Sequence, residues 1–252
     1  MSKSKETFLS VVVPAYNEED NIKRGAPQKV LSYLKGQEYT WEIIFVDDGS
    51  EDKTASLLAQ FERNGQNIHL IENPHQGKAA TVTTGVLAAQ GEFVLFTDMD
   101  QATPIGEVEK FFPFFDKGYN VVIGSRSGRK GAPLVRKLMA WGFVFLRAVV
   151  LQLPFKDTQT GFKVFSNKAA KRIFKKLKIF GSHGKISGAA VKAGFDLEVL
   201  YVARKLGYKI VEVPVEWNYQ GTMRVNPIKD SIDGLKDLLR IRWHAIKGEY
   251  KG

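Results

Sequence analysis

Two carboxylates stand one residue apart where an apolar run ends. Residues 92–104 read EFVLFTDMDQATP, with Asp98 and Asp100 directly behind Phe93–Phe96. Such a run becomes a buried strand, so both charges sit at a strand end, where they repel unless a cation lies between them. Taken alone, the pair also fits a solvated turn, since Asp is common in turns and Pro104 stops the strand. Two further clusters occupy equivalent places: Tyr16-Asn17-Glu18 follows LSVVVPA, and Asp47-Asp48-Gly49-Ser50 follows WEIIFV. Lys78, in Gln76-Gly77-Lys78, could place one cation near phosphates. PAYNEE after the first strand contains no glycine, so the dinucleotide fingerprint G-x-G-x-x-G is absent, as is the P-loop pattern. A carboxylate-rich site without a backbone phosphate cradle holds a diphosphate through a bridging cation. Mg²⁺ or Mn²⁺ suits the task, with ligands from one or two carboxylates and the rest from phosphates and water.

The elements that must position these groups alternate. LSVVVPAY, WEIIFVDDGS, NIHLIEN and EFVLFTD read as four strands. Between them lie helical stretches: NEEDNIKRGAPQKVLSYLK, interrupted near Gly25 and Pro27; DKTASLLAQFERNG, ended by Gly65; and GKAATVTTGVLAAQG, closed by Gly91. This alternation predicts an α/β fold with a mainly parallel central sheet covered by helices on both faces. In such sheets ligands bind beyond the carboxyl ends of the strands, where the three clusters converge. Further on, NVVIGSR and YKIVEVPVEW read as strands, and FDLEVLYVARKLG as an amphipathic helix. LVRKLMAWGFVFLRAVVLQLPF reads as an apolar helix, and FKVFSNKAAKRIFKKLK as a basic run. With no repeat, low-complexity segment or linker, one domain over residues 1–252 is the economical reading.

Composition narrows the classes. The chain has no cysteine, which removes disulfides, zinc–thiolate sites and cysteine nucleophiles. MSKSKET carries no apolar leader core, and no run reaches the roughly 18 uncharged apolar residues of a spanning helix. Of the net +10, residues 117–195 hold 17 Lys or Arg against the single acid Asp157. One basic half suggests an anionic partner on one side: nucleic acid, anionic lipid or a phosphorylated ligand.

PAYNEE, VDDGSED and the D-x-D at Asp98–Asp100, in that order, resemble family 2 glycosyltransferases of the GT-A fold. GSR at 124–126, DTQTGFK at 157–163 and VPVEW at 213–217 resemble the polyprenyl-phosphate hexosyltransferases, closest to the dolichyl-phosphate β-glucosyltransferase branch. The resemblance implies an inverting transferase moving a hexose from a nucleotide sugar to a polyprenyl or dolichyl phosphate. TQTGFK favours UDP-glucose as donor, with GDP-mannose the alternative. It also implies roles for residues. Pro14, Tyr16 and Glu18 would line the nucleotide pocket, and Asp48 would read base or ribose. Asp98 and Asp100 would bind ribose and metal. The mannosyl branch has a Gln two places after the second Asp; here Ala102 stands there and Gln101 one place early. Asp47 either caps the following turn or touches ligand. Arg126 and Arg136 match the acceptor-phosphate arginines, although Ala140 replaces the small hydroxyl four residues on. Asp157 would orient Lys163 or an arginine, or touch donor or acceptor. Arg224 occupies the place of a basic residue on a loop closing over the donor diphosphate.

A lipid phosphate, with a second pKa near 6 like phosphoserine, arrives largely as a dianion and needs cations to place it rather than a base. Helices at about 134–151 and 226–247 are expected to be interfacial, with Lys168, Lys171, Arg172, Lys175, Lys176 and Lys178 against anionic headgroups. The chain is then expected to be peripheral on the cytoplasmic face of a membrane. A haloacid-dehalogenase-type phosphatase would carry its D-x-D after the first strand, not the fourth. A nucleic-acid-binding module leaves the carboxylates without a task, so no nucleic-acid partner is expected.

Overall fold

The computed structural model describes residues 6–126, 134–180, 194–218 and 227–250, with 134–141 and 227–231 described by their backbone only. β1 (Leu9–Ala15) leads through α1 (Glu19–Lys23) and α2 (Ala26–Lys35) to β2 (Trp41–Asp47), and the helical stretch breaks at 24–25 as its glycine and proline predict. α3 (Thr54–Asn64), β3 (Ile68–Glu72), α4 (Lys78–Ala88) and β4 (Phe93–Thr97) follow. A 3₁₀ turn at Ile105–Lys110 and α5 (Phe112–Asp116) lead to β5 (Val121–Arg126) and α6 (Leu134–Leu151). The chain continues through β6 (Phe162–Ser166), α7 (Asn167–Lys175), α8 (Gly194–Lys205), β7 (Ile210–Val215) and α9 (Pro227–Ile246).

Among the described residues seven strands form one sheet in the order β3-β2-β1-β4-β6-β5-β7. β6 alone runs antiparallel, between β4 and β5; the other pairings are parallel. β1 is buried along its whole length, and its alternation divides the core. Val12 faces Ile44, Val46, Val94 and Phe96, beneath α4, α7 and α8. Leu9, Val11 and Val13 face Ile43, Phe45 and Leu95, beneath α1, α2 and α3.

β6 corrects the reading of 162–178 as a basic run. FKVFS is a central strand, and its lysine concealed it: Lys163 is fully buried, its charge matched by Asp196. The reversal matters for the site, because Phe162 pairs with Thr97. The loop entering β6 therefore meets the edge where the parallel strands end. Gly65 follows α3 as expected, but α4 ends at Ala88, ahead of Gly91. The Gly91 N–H instead donates to Ser10 Oγ at 2.7 Å.

α6 turns one arginine inward: Arg147 is 3% exposed and donates to the Leu153 and Phe155 carbonyls and to Thr158 Oγ1. Phe143 packs against Gly234 of α9, its ring 3.2 Å from where a Cβ would stand. Outward lie Phe145 and Val149 of α6 and Leu235, Leu239, Trp243 and Ile246 of α9, each at least 40% exposed. The α9 spacings of four, four and three put these on one helical face. Among the described residues no helix is long and apolar enough to cross a membrane.

Candidate active site

Loops at the carboxyl edge of β1 and β2 are laced together first. Glu18 N–H donates to Thr54 Oγ1 at 2.7 Å, Asn17 N–H to Ser50 Oγ at 3.0 Å, and Glu51 N–H to Asn17 Oδ1 at 2.9 Å. Asp47, 2% exposed, accepts from the Ser50 N–H and hydroxyl at 3.0 and 2.5 Å, the turn-capping geometry. Asp48, equally buried, accepts from the Gln76 and Gly77 N–H groups at 2.9 and 2.8 Å and lies 2.8 Å from His75 Nδ1. Its carboxylate thus ties the β2 end to the loop between β3 and α4. That loop supplies His75, whose ring stacks on Tyr16 with centroids 4.1 Å apart. Pro14 is buried within β1.

The same loop aims Lys78. Gly77 has φ 88 and ψ 163, a conformation open in practice to glycine, and Lys78 opens α4 immediately behind it. The Lys78 ammonium meets the Asp98 carboxylate. Burial presses its pKa down, but the charges of Asp98, Asp196 and Asp100 outweigh this and hold it above the ordinary lysine value. Asp100 accepts the Ala102 N–H at 3.0 Å, while burial, reinforced by Asp98, raises its pKa. Gln101, at φ 51, donates through Nε2 to the Asp98 carbonyl at 2.9 Å, and its buried Oε1 has no hydrogen-bond partner. Among the described residues no three His, Cys, Asp or Glu side chains cluster as a metal cage.

The loop entering β6 completes the edge. A Cβ on Gly161 would lie 2.0 Å from Asp98 Oδ2, so only glycine leaves the carboxylate its place. Asp157 takes Arg126 in a two-pronged ion pair, Nε–Oδ2 at 2.6 Å and Nη2–Oδ1 at 3.0 Å, and accepts the Thr160 hydroxyl at 2.9 Å. Burial pushes the Asp157 carboxyl up, but the Arg126 hydrogen bonds and charge prevail and bring it down to about 2. The Glu212 carboxylate accepts the Lys156 and Asp157 N–H groups at 2.8 and 2.6 Å. The Arg126 guanidinium also lies over the Trp217 ring, 5.6 Å from its centroid. Lys163 is held by Asp196 at 2.6 Å and by the Thr160 carbonyl. GSR, DTQTGFK and VPVEW thus form one connected assembly at the edge that carries Asp98.

The site residues expected from sequence therefore gather at one sheet edge, with two outside the description: Arg224 lies in 219–226, and Arg136 is described by its backbone only. Asp157 orients Arg126 rather than Lys163. Glycosyl transferase family 2 matches residues 10–174. The chain is 34% identical to a dolichyl-phosphate β-glucosyltransferase of Dictyostelium discoideum, over 97% of this chain and 76% of that one. It is 38% identical to one from Trichomonas vaginalis, with the same coverage.

The chain belongs to glycosyl transferase family 2.

The human dolichyl-phosphate β-glucosyltransferase is 31% identical over 96% of this chain and 77% of its own length. Among solved structures, mannosyl-3-phosphoglycerate synthase from Rubrobacter xylanophilus superposes with a TM-score of 0.65 at 18% identity, covering 96% of this chain and 75% of that one. Glucosyl-3-phosphoglycerate synthase from Mycobacterium tuberculosis, solved with Mn²⁺, UDP and glucosyl-3-phosphoglycerate, gives 0.61 at 18% identity over 94% and 80%. The fold is that of the GT-A glycosyltransferases, as the ordered motifs imply. Five contributors had been given no role from the sequence of this family 2 enzyme. His75 lies in an unremarkable NPHQG, and Glu212 and Asp196 act on backbone and charges far along the chain. Gly161 acts through the space it leaves. Trp217, the last residue of VPVEW, and Gly161, within DTQTGFK, stood in motifs already marked.

Proposed function

We propose that this family 2 enzyme transfers glucose from UDP-glucose to a polyprenyl or dolichyl phosphate, with inversion, at an anionic membrane surface. The observation that carries the proposal is the pairing of Asp98 and Asp100 with a clamped Arg126 on one edge. Relatives at least 30% identical over nearly the whole chain share the dolichyl-phosphate β-glucosyltransferase name.

The donor side takes the nucleotide. Tyr16, backed by His75, offers an aromatic plane, while Pro14, Glu18 and Asp48 shape the pocket around it. Asp98 and Asp100 suit Mg²⁺ or Mn²⁺, which need few protein ligands beside phosphate oxygens and water, and the orphaned Gln101 Oε1 is a further oxygen of the right type. A divalent cation bound there would neutralise charge on the diphosphate leaving group. Lys78 adds a protein cation to the same side, and Arg224 would approach from the 219–226 segment.

On the acceptor side Arg126 and Arg136 receive the lipid phosphate. The guanidinium fork matches phosphate oxygens in charge and geometry. A phosphate oxygen attacks the anomeric carbon from the face opposite the diphosphate. The new C–O bond forms as the bond to the β-phosphate oxygen breaks, and UDP leaves with that electron pair. No proton is removed, so no general base is required.

The polyprenyl chain requires a bilayer nearby. Phe145, Leu239, Trp243 and Ile246 offer it apolar area, with Arg240, Arg242 and Lys247 beside them for anionic headgroups. On this proposal the enzyme works at the cytoplasmic face of that bilayer. The test is transfer in mixed micelles containing dolichyl phosphate and Mn²⁺. Glucose from UDP-glucose should become organic-soluble, whereas mannose from GDP-mannose should not. The opposite preference overturns the choice of sugar, and no lipid product from either donor overturns the acceptor.

A further inference from the structure

Lys78 is fixed from behind. Gly77 starts α4 in a backbone conformation that suits glycine, and the Asp48 carboxylate pins the Gln76 and Gly77 N–H groups just before it. Its ammonium meets Asp98, with Asp196 and Asp100 adding their charge. Asp98 is also a carboxylate that the donor-site reading assigns to a divalent cation. A lysine and a divalent ion on one carboxylate repel each other strongly where solvent is partly excluded. Only a further anion relieves that repulsion, and the donor diphosphate is such an anion. The helix end points the same way. A lysine in a first helical turn is unfavourable against the macrodipole unless an anion lies close, and either Asp98 or a diphosphate meets that need.

We infer that Lys78 couples the cation to the nucleotide: it keeps a divalent ion off Asp98 when no nucleotide is bound, and moves to the diphosphate when both arrive. The inference rests on the donor-site reading above. In linkage terms Lys78 makes Mn²⁺ and UDP bind cooperatively, each raising the affinity of the other by the same factor. The enzyme then takes the metal–nucleotide complex as a unit and resists loading by the bare metal.

The test is Mn²⁺ binding, followed by the paramagnetic resonance signal of the free ion, for wild type, Lys78→Met and Lys78→Arg, each with and without UDP. Thermal melts check that the variants fold. Lys78→Met should bind Mn²⁺ alone about tenfold more tightly than wild type. It should bind UDP in the presence of Mn²⁺ about tenfold more weakly and UDP alone as wild type does, so the coupling factor drops about tenfold. Lys78→Arg, which keeps the charge, should retain most of the coupling. If Lys78→Met leaves the coupling of wild type intact, the inference is overturned and the donor site stands. If wild type itself binds no UDP with Mn²⁺, the donor-site reading falls and this inference falls with it.

Discussion

The two halves of the sheet edge treat charge in opposite ways. On the side of β5, β6 and β7 two cations are each held by a carboxylate: Arg126 by Asp157, and the buried Lys163 by Asp196. Beyond β1 and β2 the carboxylates Asp47 and Asp48 are engaged by backbone N–H groups and serve the loops. Beyond β4, Asp98 and Asp100 face mainly Lys78 and one backbone amide. The difference assigns tasks. A guanidinium locked by two hydrogen bonds receives an anion in a set orientation and loses little freedom on doing so. Carboxylates with few protein donors keep oxygens for a metal and a sugar nucleotide. Gly161 and Asp157, four residues apart in one loop, serve the two halves together.

That shared loop is where the comparison breaks most easily. Gly161→Ala should force the Asp98 carboxylate aside, since the added Cβ would lie 2.0 Å from Oδ2. Transfer should fall about a hundredfold, the scale of an ångström-sized misplacement at a reacting centre, with the melting temperature nearly kept. A variant that unfolds would make the glycine structural, and full activity would detach Asp98 from the site.

Asp157→Asn should act on the acceptor half and on stability. Its native pKa of about 2 lies below the ordinary carboxylate value of 3.8. The depressed carboxyl stabilises the fold above about pH 4, and this is lost as pH falls toward about 2. At neutral pH the variant should be less stable by about 2 kcal/mol. The gap from wild type should narrow across that acid window in denaturant titrations, and a constant gap would point to packing instead.

The smallest effect concerns the outer face. Phe145→Ser with Trp243→Ser should reduce flotation with anionic liposomes severalfold while leaving UDP affinity unchanged, because both rings are more than half exposed. Phe143 is the wrong target for this purpose, as it packs against Gly234. Unchanged flotation would move the bilayer contact elsewhere.

The donor half was largely legible because strand and chemistry sit together in the chain. Apolar runs of five to seven residues end in Asp47-Asp48 and Asp98, so period and polarity mark both element and edge. The acceptor half was not. β6 carries a buried lysine whose partner Asp196 lies on α8, and no local pattern separates that from a basic surface run. Arg126 was legible through GSR, but its clamp depends on Asp157, Glu212 and Trp217, which only the antiparallel return of β6 and the pairing of β7 bring together. The burial of Arg147 was hidden for the same reason: its acceptors belong to the loop that α6 turns into.

The division between the halves is tested most directly by one crossed measurement: UDP affinity with Mn²⁺, and transfer to polyprenyl phosphate, for Arg126→Ala and Asp100→Asn side by side. Arg126→Ala should keep UDP affinity near wild type while transfer falls about 10- to 100-fold, the loss of charge-assisted hydrogen bonds to the acceptor. Asp100→Asn should lose both, together with the Mn²⁺ dependence of UDP binding. If Arg126→Ala loses UDP affinity as strongly as it loses transfer, or Asp100→Asn keeps its Mn²⁺ dependence, the two halves are not separate and the account is wrong.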